Sequence, residues 1–249
     1  MIGITAWGAY IPRARLSKQA MADANTWFDA GLKSLARGER SICNWDEDTI
    51  TMAVEAGRDC LSALKDNTVA SLYLASTTLP FLDRQNSVVV TEALNLDKHI
   101  RTMDISASQR AATSALISLL ESNVQNNAML VGSEHRRSKA GSRAEMLWGD
   151  AAAAVTVGSD DVVAEFLGAE TRAEDFVDHY RGQDAEFDYD WEERWIRDEG
   201  FLKSVPAAVN ALLDSAAISA GDITRFILPT DQARTPGAVA KKIGINVDA

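Results

Sequence analysis

Short apolar runs alternate along the chain with longer segments of helical periodicity. The runs at 71–76, 100–105 and 127–132 end in polar or turn-forming residues, which is typical of buried strands. Residues 46–64 instead place apolar side chains at helical spacing, with acidic residues where a helix would start, a position that the helix dipole favours. Strands that alternate with helices predict a layered α/β fold.

The same patterns predict the other elements. We expect further strands at 2–10, 150–158, 162–167 and 225–228, and helices at 87–96, 110–120, 201–218 and after Thr235. The segment 173–199 is rich in acidic and aromatic residues. It predicts a cap or small subdomain, because its aromatic side chains need a surface to cover them.

Charge and composition exclude several classes of function. A formal net charge of -11 argues against nucleic-acid binding, which needs a basic face for the phosphates. No apolar stretch approaches the roughly 18 residues of a membrane helix, and the first residues do not resemble an export signal. We therefore expect a cytoplasmic protein without membrane association.

The cysteines and histidines give no metal signature. Cys43 and Cys60 are the two cysteines, and neither has short metal-ligand spacing or an adjacent histidine. His99, His135 and His179 are the three histidines, and their spacing is not that of metal ligands. The sequence predicts no disulfide and no metal site.

Three motifs occur in a characteristic order. The first is the strand, turn and helix of 104–116, the second is Gly-Asp-Ala-Ala-Ala-Ala-Val at 149–155, and the third is Ile-Leu-Pro-Thr-Asp-Gln-Ala at 227–233. Together with Gly-Ser-Glu at 132–134, they resemble the thiolase superfamily, most closely its hydroxymethylglutaryl-CoA synthase and ketoacyl synthase III branch.

The resemblance implies a thiolase-like layered αβαβα fold. Residues 1–158 would form the N-terminal half with the nucleophile elbow, and residues 159–249 a partial C-terminal half with the charged aromatic cap inserted. Members of the family continue beyond the last helix, so we expect the second half to be incomplete, as in a fragment or a chain completed by a partner.

The resemblance also places three residues at catalytic positions, each changed. Gln109 falls at the cysteine nucleophile, Asp231 at the histidine, and Thr77 at the glutamate acid/base. A glutamine amide cannot form the acyl-enzyme thioester, yet it can stabilise an oxyanion, and members of the superfamily use glutamine in this way. Decarboxylation or aldol-type chemistry therefore stays open, with Asp231 or Thr77 assisting proton transfer.

A basic run follows the third buried strand. Arg136, Arg137, Lys139 and Arg143 stand close together in an acidic chain. A solvated loop explains them, and so does contact with a phosphate-bearing arm. The resemblance implies an acyl-CoA or acyl-carrier-protein thioester as substrate, no other cofactor, a homodimer, and a zinc-ribbon or OB-fold protein as a further partner.

Three functions stay open. The leading hypothesis is a diverged hydroxymethylglutaryl-CoA synthase-like protein that recognises acyl thioesters, with its condensing acyltransferase activity altered or lost. The alternative is a non-catalytic thiolase-like subunit or scaffold that pairs with a partner chain. A third is the truncated, inactive product of a once-active gene, which would expose an unpaired strand edge.

Overall fold

The chain forms two compact units, Met1–Phe166 and Leu167–Ala249. The computed structural model describes residues 1–66, 68–122 and 127–246. The first unit extends past residue 158 because Ala164–Glu165 pairs with the first strand. The division between residues 158 and 159, which concerned the two halves of the family fold, stays a prediction.

The described residues contain ten strands. In chain order they are β1 (Gly3–Tyr10), β2 (Ala14–Ser17), β3 (Glu39–Ile42), β4 (Ser71–Ala75), β5 (Arg101–Ile105), β6 (Ala128–Glu134), β7 (Ala151–Gly158), β8 (Ala164–Glu165), β9 (His179–Tyr180) and β10 (Tyr189–Asp190).

The described residues also contain eight α-helices. They are α1 (Lys18–Asn25), α2 (Thr49–Ser62), α3 (Asn86–Ala93), α4 (Ala111–Glu121), α5 (Arg143–Leu147), α6 (Glu193–Trp195), α7 (Leu202–Ala216) and α8 (Thr235–Ile243). None of the helices described is long and apolar enough to cross a membrane.

A six-stranded mixed sheet organises the first unit. Its strand order is β5-β4-β6-β7-β1-β8. Strands β5, β4 and β6 run parallel, whereas β7 is antiparallel to both β6 and β1. The carboxyl ends of the three parallel strands therefore lie at one edge of the sheet, beside the start of β7 and the end of β1.

The sheet is covered on both faces, as alternation along its strands requires. Leu72, Leu74, Met129 and Val131 pack in one core cluster with α2 and Val90 of α3. The intervening side chains Tyr73, Ala75, Ala128 and Leu130 pack in a second cluster with α4. These layers are α/β/α, as the sequence predicts.

The second unit is built from a small hairpin and helices. Strands β9 and β10 pair in the aromatic segment, where the Tyr180 and Tyr189 rings lie 5.2 Å apart. The Phe176 and Trp195 rings stack 6.0 Å apart, so the aromatic side chains of 173–199 cover one another. A π-helical turn at Ile196–Phe201 leads into α7.

The element predictions fail in two places. Residues 225–228 do not form a strand: Ile227 is 88 % exposed, and this segment has no strand partner among the described residues. An apolar run alone cannot form a strand without a neighbouring edge. The β2–β3 hairpin was not predicted, because the sequence patterns there are short and polar.

Close contact between β1 and α2 makes Gly8 indispensable. A Cβ atom at Gly8 would lie 2.2 Å from the Cys60 nitrogen and 2.6 Å from the Ala56 carbonyl oxygen. Both are backbone atoms of α2, which cannot move without shifting the helix. The Asp59 carboxylate also accepts a 2.9 Å hydrogen bond from the Ala9 N–H, which fixes the helix on the strand.

Gly8→Ala should therefore lower the free energy of unfolding by about 3 kcal/mol or more, because overpacking must displace backbone. Urea denaturation followed by circular dichroism measures the change. Gly182→Ala is the control: a Cβ there has open space, so a change within about 0.5 kcal/mol is expected. Equal effects of the two substitutions would contradict this packing.

Candidate active site

A cleft of about 400 Å³ opens at the edge where the parallel strands end. Half of its lining residues are alanines from β1, β4, α4 and β7, which leave room for an apolar group. The polar side chains in its wall are Ser76, Ser108, Gln109, Ser133 and Glu134. A concave, mainly apolar site with a few convergent polar groups is the usual form of a ligand site.

Gln109 lies in the tight turn between β5 and α4. Ala107 in this turn has a φ of 70°, a left-handed conformation that costs a non-glycine residue on the order of 1 kcal/mol. The Ser108 hydroxyl and carbonyl oxygens accept hydrogen bonds from the N–H groups of Arg110 and Ala111, at 3.1 and 2.9 Å. The strained turn presents Gln109 at the amino-terminal end of α4, exposed toward the cleft.

Glu134, the last residue of β6, is the carboxylate of the cleft. Its Oε1 accepts a 2.7 Å hydrogen bond from the Thr77 N–H, and its Oε2 accepts 3.0 Å bonds from the hydroxyls of Thr77 and Thr78. These three bonds hold the side chain in one position. A fixed carboxylate beside an apolar pocket is equipped for proton transfer.

Thr77 lies behind this carboxylate and connects it to the basic run. The Thr77 hydroxyl accepts a 2.6 Å hydrogen bond from Arg136 while donating to Glu134. The Arg136 guanidinium also lies 5.4 Å from the centre of the Trp148 ring, within cation–π range. Arg136 is thereby ordered against the cleft wall.

His135 and Asp150 form an ion pair next to the cleft. His135 Nδ1 lies 3.1 Å from Asp150 Oδ2, and the Asp150 side chain is almost fully buried. The contact with Asp150 raises the pKa of His135 against the opposing effect of burial. Burial alone would raise the pKa of the Asp150 carboxyl. The hydrogen bonds from His135 and the Cys43 N–H outweigh this effect and lower the pKa overall.

The raised pKa of His135 and the lowered pKa of Asp150 determine the pH range in which this ion pair stabilises the fold. The stability from His135 is present below its unfolded pKa and is lost as the pH rises through the folded value. The stability from Asp150 is present above its unfolded pKa and is lost as the pH falls through the folded value. The ion pair therefore stabilises the fold most between about pH 4 and 6.5.

Neither cysteine has the properties of a reactive thiol. Burial, followed by the charge of Asp150, raises the pKa of the Cys43 thiol to about 12. Burial likewise raises the pKa of Cys60 to about 11. Both thiols stay protonated near pH 7, whereas the thiolate is the reactive form.

The remaining candidates from the sequence are exposed. Arg137, Lys139 and Arg143 are exposed in the stretch between β6 and the first turn of α5. Asp231 is exposed in the second unit, next to Gln232, whose amide oxygen accepts a 2.8 Å bond from Thr235. The catalytic role of Asp231, like that of Thr77, stays a prediction.

Sequence comparison finds named relatives along nearly the whole chain. The hydroxymethylglutaryl-CoA synthase of Caldivirga maquilingensis is 27 % identical over 255 residues, covering 99 % of this chain and 72 % of the relative. The enzyme of the same name from Aeropyrum pernix is 26 % identical, with 99 % and 70 % covered. No family model matches the chain.

Solved structures share the architecture. The priming β-ketosynthase of the R1128 polyketide pathway superposes with a TM-score of 0.81 at 20 % identity, covering 99 % of this chain and 79 % of that one. An HMG-CoA synthase complexed with CoA gives a TM-score of 0.74 at 19 % identity, with 88 % of this chain and 57 % of that one covered.

This chain is thiolase-like. The predicted fold is confirmed, and the similarity to hydroxymethylglutaryl-CoA synthases and 3-oxoacyl synthases III supports the predicted branch. A variant of Xanthomonas campestris OleA, solved with bound lauric acid and lauroyl-CoA, has the same fold at 17 % identity and a TM-score of 0.77, with 98 % of this chain and 82 % of that one covered.

Neither the position of Glu134 in the cleft nor the pairing of His135 with Asp150 was predicted from the sequence. A signal for Glu134 was available. It stands at the carboxyl end of a buried strand, and carboxyl ends of parallel strands meet at a ligand-binding edge. Asp150 contacts both His135 and the Cys43 N–H, which are far apart in sequence, so spacing alone could not reveal these contacts.

Thr78 is the hydrogen-bonding hub of this edge. Its hydroxyl contacts Glu134 Oε2 at 3.0 Å, the His135 N–H at 3.1 Å and the Thr49 hydroxyl at 2.9 Å. Thr78→Val keeps the shape but leaves these groups short of a partner. We expect a loss of about 1–3 kcal/mol in the free energy of unfolding, measured by urea denaturation.

Thr113→Val is the matched control. Its hydroxyl is exposed on α4 and bonds the Arg110 carbonyl one turn back, so the loss should stay within about 0.5 kcal/mol. A Thr78 variant as stable as this control would show that the hub does not support the site.

Proposed function

We propose that the protein binds an acyl-CoA or acyl-carrier thioester in the cleft and acts on its carbonyl group without forming an acyl-enzyme. The observation that carries this proposal is the pairing, in one apolar cleft, of Gln109 at a helix amino terminus with the fixed carboxylate of Glu134. The names of the relatives support a thioester substrate.

Gln109 would stabilise the developing oxyanion. Its side-chain N–H can donate to the thioester carbonyl oxygen, which gains negative charge when the α carbon loses CO₂ or a proton. Donors aimed at such an oxygen are a major source of rate enhancement. The strained turn supports this role, because it fixes the backbone from which the amide extends.

Glu134 would transfer the proton. For an aldol-type reaction its carboxylate accepts a proton from the α carbon, and the resulting enolate carbon attacks a second carbonyl group. For decarboxylation, CO₂ leaves and the enolate carbon takes up a proton that originates from water and is passed on by Glu134. We assign this role to Glu134 rather than to Thr77, because Glu134 lines the cleft while Thr77 donates hydrogen bonds to its carboxylate.

The exposed basic residues would contact the phosphates of the CoA or carrier arm. Arg137, Lys139 and Arg143 follow the strand that ends in Glu134, and they carry positive charge in an otherwise acidic chain. Arg136 serves this site differently, since it already bonds Thr77. A homodimer, a zinc-ribbon or OB-fold partner and a cytoplasmic location stay predictions.

Steady-state assays with malonyl-CoA and a panel of acyl-CoAs test this function. Thioester loss, CO₂ release and new carbon–carbon products are followed by mass spectrometry. Gln109→Ala should lower kcat by about 10²-fold or more, the usual effect of removing an oxyanion donor, and Glu134→Gln should lower it comparably. Binding of a non-hydrolysable acyl-CoA analogue, measured by calorimetry, should change little in either variant.

Gln19→Ala is the control, because this glutamine is exposed on α1 and bonds Asp23. It should leave turnover unchanged. Turnover that is insensitive to Gln109→Ala would overturn the assignment of the site. Thioester binding without turnover of any substrate would instead favour the non-catalytic subunit.

A further inference from the structure

Next to the cleft, three potential metal ligands meet from distant parts of the chain. Cys43 follows β3, His135 follows β6 and Asp150 precedes β7. One ligand atom from each lies within 4.8 Å of the other two. We propose that these three side chains bind a divalent transition-metal ion of the zinc class.

The ligand set has the chemistry that zinc prefers. Thiolate sulfur, imidazole nitrogen and carboxylate oxygen are its three common protein ligands. This mixture does not suit Mg²⁺ or Ca²⁺, which take oxygen ligands. Binding would release the Cys43 proton, and the thiolate and the carboxylate would then carry two negative charges, which a dication neutralises.

Burial makes the cluster different from a chance group of surface acids. Asp150 is 2 % exposed, and Cys43 is half-buried. His135 Nδ1 is buried without a well-aligned hydrogen bond, although it lies 3.1 Å from Asp150. A lone pair on this nitrogen would be directed into the cluster once the proton is lost.

The surrounding backbone already holds two of the ligands in place. The Asp150 carboxylate accepts a 2.8 Å bond from the Cys43 N–H, and the Asp150 carbonyl accepts a 2.7 Å bond from the Ser41 hydroxyl. Such outer contacts orient metal ligands. Positive charge on Arg40 and Arg137 lies near His135 and would oppose binding of a cation. The Arg40 guanidinium donates hydrogen bonds to the Ser138 hydroxyl and the Glu145 carbonyl oxygen.

The geometry favours an ion over a catalytic relay. In a relay of carboxylate, imidazole and nucleophile, the carboxylate and nucleophile use opposite nitrogens of the ring. Here the sulfur, nitrogen and oxygen lie mutually close, which is the arrangement of ligands around one centre. Three protein ligands leave a fourth position for water or another group.

The site would lie one residue away from the cleft wall on two strands. Glu134 and Ala151 line the cleft and are paired in register between β6 and β7, and His135 and Asp150 are their next neighbours. A bound ion would therefore fasten the ends of these strands together. This proposal does not depend on the thioester chemistry.

Metal binding is measured on the full chain after chelator treatment and dialysis. Zn²⁺ titration against a chromophoric chelator should give one site per chain. Co²⁺ should produce a thiolate charge-transfer band. Cys43→Ala, His135→Ala and Asp150→Asn should each weaken Zn²⁺ binding more than about 100-fold, since losing even an outer-shell partner costs 10–100-fold.

Two matched controls separate this cluster from the other cysteine and from another histidine–aspartate pair. Cys60→Ala and His179→Ala should leave Zn²⁺ affinity and the Co²⁺ band unchanged, although His179 Nδ1 also lies 2.8 Å from an aspartate, Asp178. Binding that persists in the Cys43 variant, or is lost equally in the controls, would overturn the proposal.

A measurement on the unaltered chain tests the proposal even if the variants fail to fold. Zn²⁺ should slow alkylation of Cys43 at least tenfold, as judged by peptide mass spectrometry, and leave Cys60 alkylation unchanged. Equal Cys43 alkylation with and without Zn²⁺, or no binding in the titration, would show that the three residues form only an ion pair beside a thiol.

Discussion

The carboxylate of Glu134, at the end of β6, accepts hydrogen bonds from Thr77 beyond the end of β4, and the cleft depends on this connection. Ala75 of β4 and Gly132 of β6 are register partners. Two residues further along each strand, Thr77 donates both its N–H and its hydroxyl to Glu134. The side chain thus continues the sheet pairing beyond its last backbone bonds. It also places a negative charge where the alanine-lined pocket opens.

The second constraint is the strained turn that carries Gln109. Ala107 holds a left-handed conformation without being glycine, a cost that persists only where the surrounding structure enforces it. Covalent acyl transfer through this position would need a thiol or hydroxyl, and an amide supplies only hydrogen bonds. The proposed oxyanion stabilisation is chemistry that an amide in this turn can support.

Sequence patterns predicted the first unit well, because its strands are apolar runs and its helices are amphipathic. The α2 and β7 segments match their predicted spans to within three residues at each end. The strand at 225–228 failed because local apolarity cannot supply a pairing edge. The site was predicted only in part: Gln109 lines the cleft, but Glu134 was not recognised, since its role depends on strand register.

The most direct test is a crystal structure of the protein with a non-hydrolysable acyl-CoA analogue. The carbonyl oxygen of the analogue should lie within hydrogen-bond distance of the Gln109 amide, with its α carbon facing Glu134 and its acyl group between the alanines of the cleft. An analogue bound away from this cleft, or a carbonyl group that Gln109 does not contact, would contradict the account.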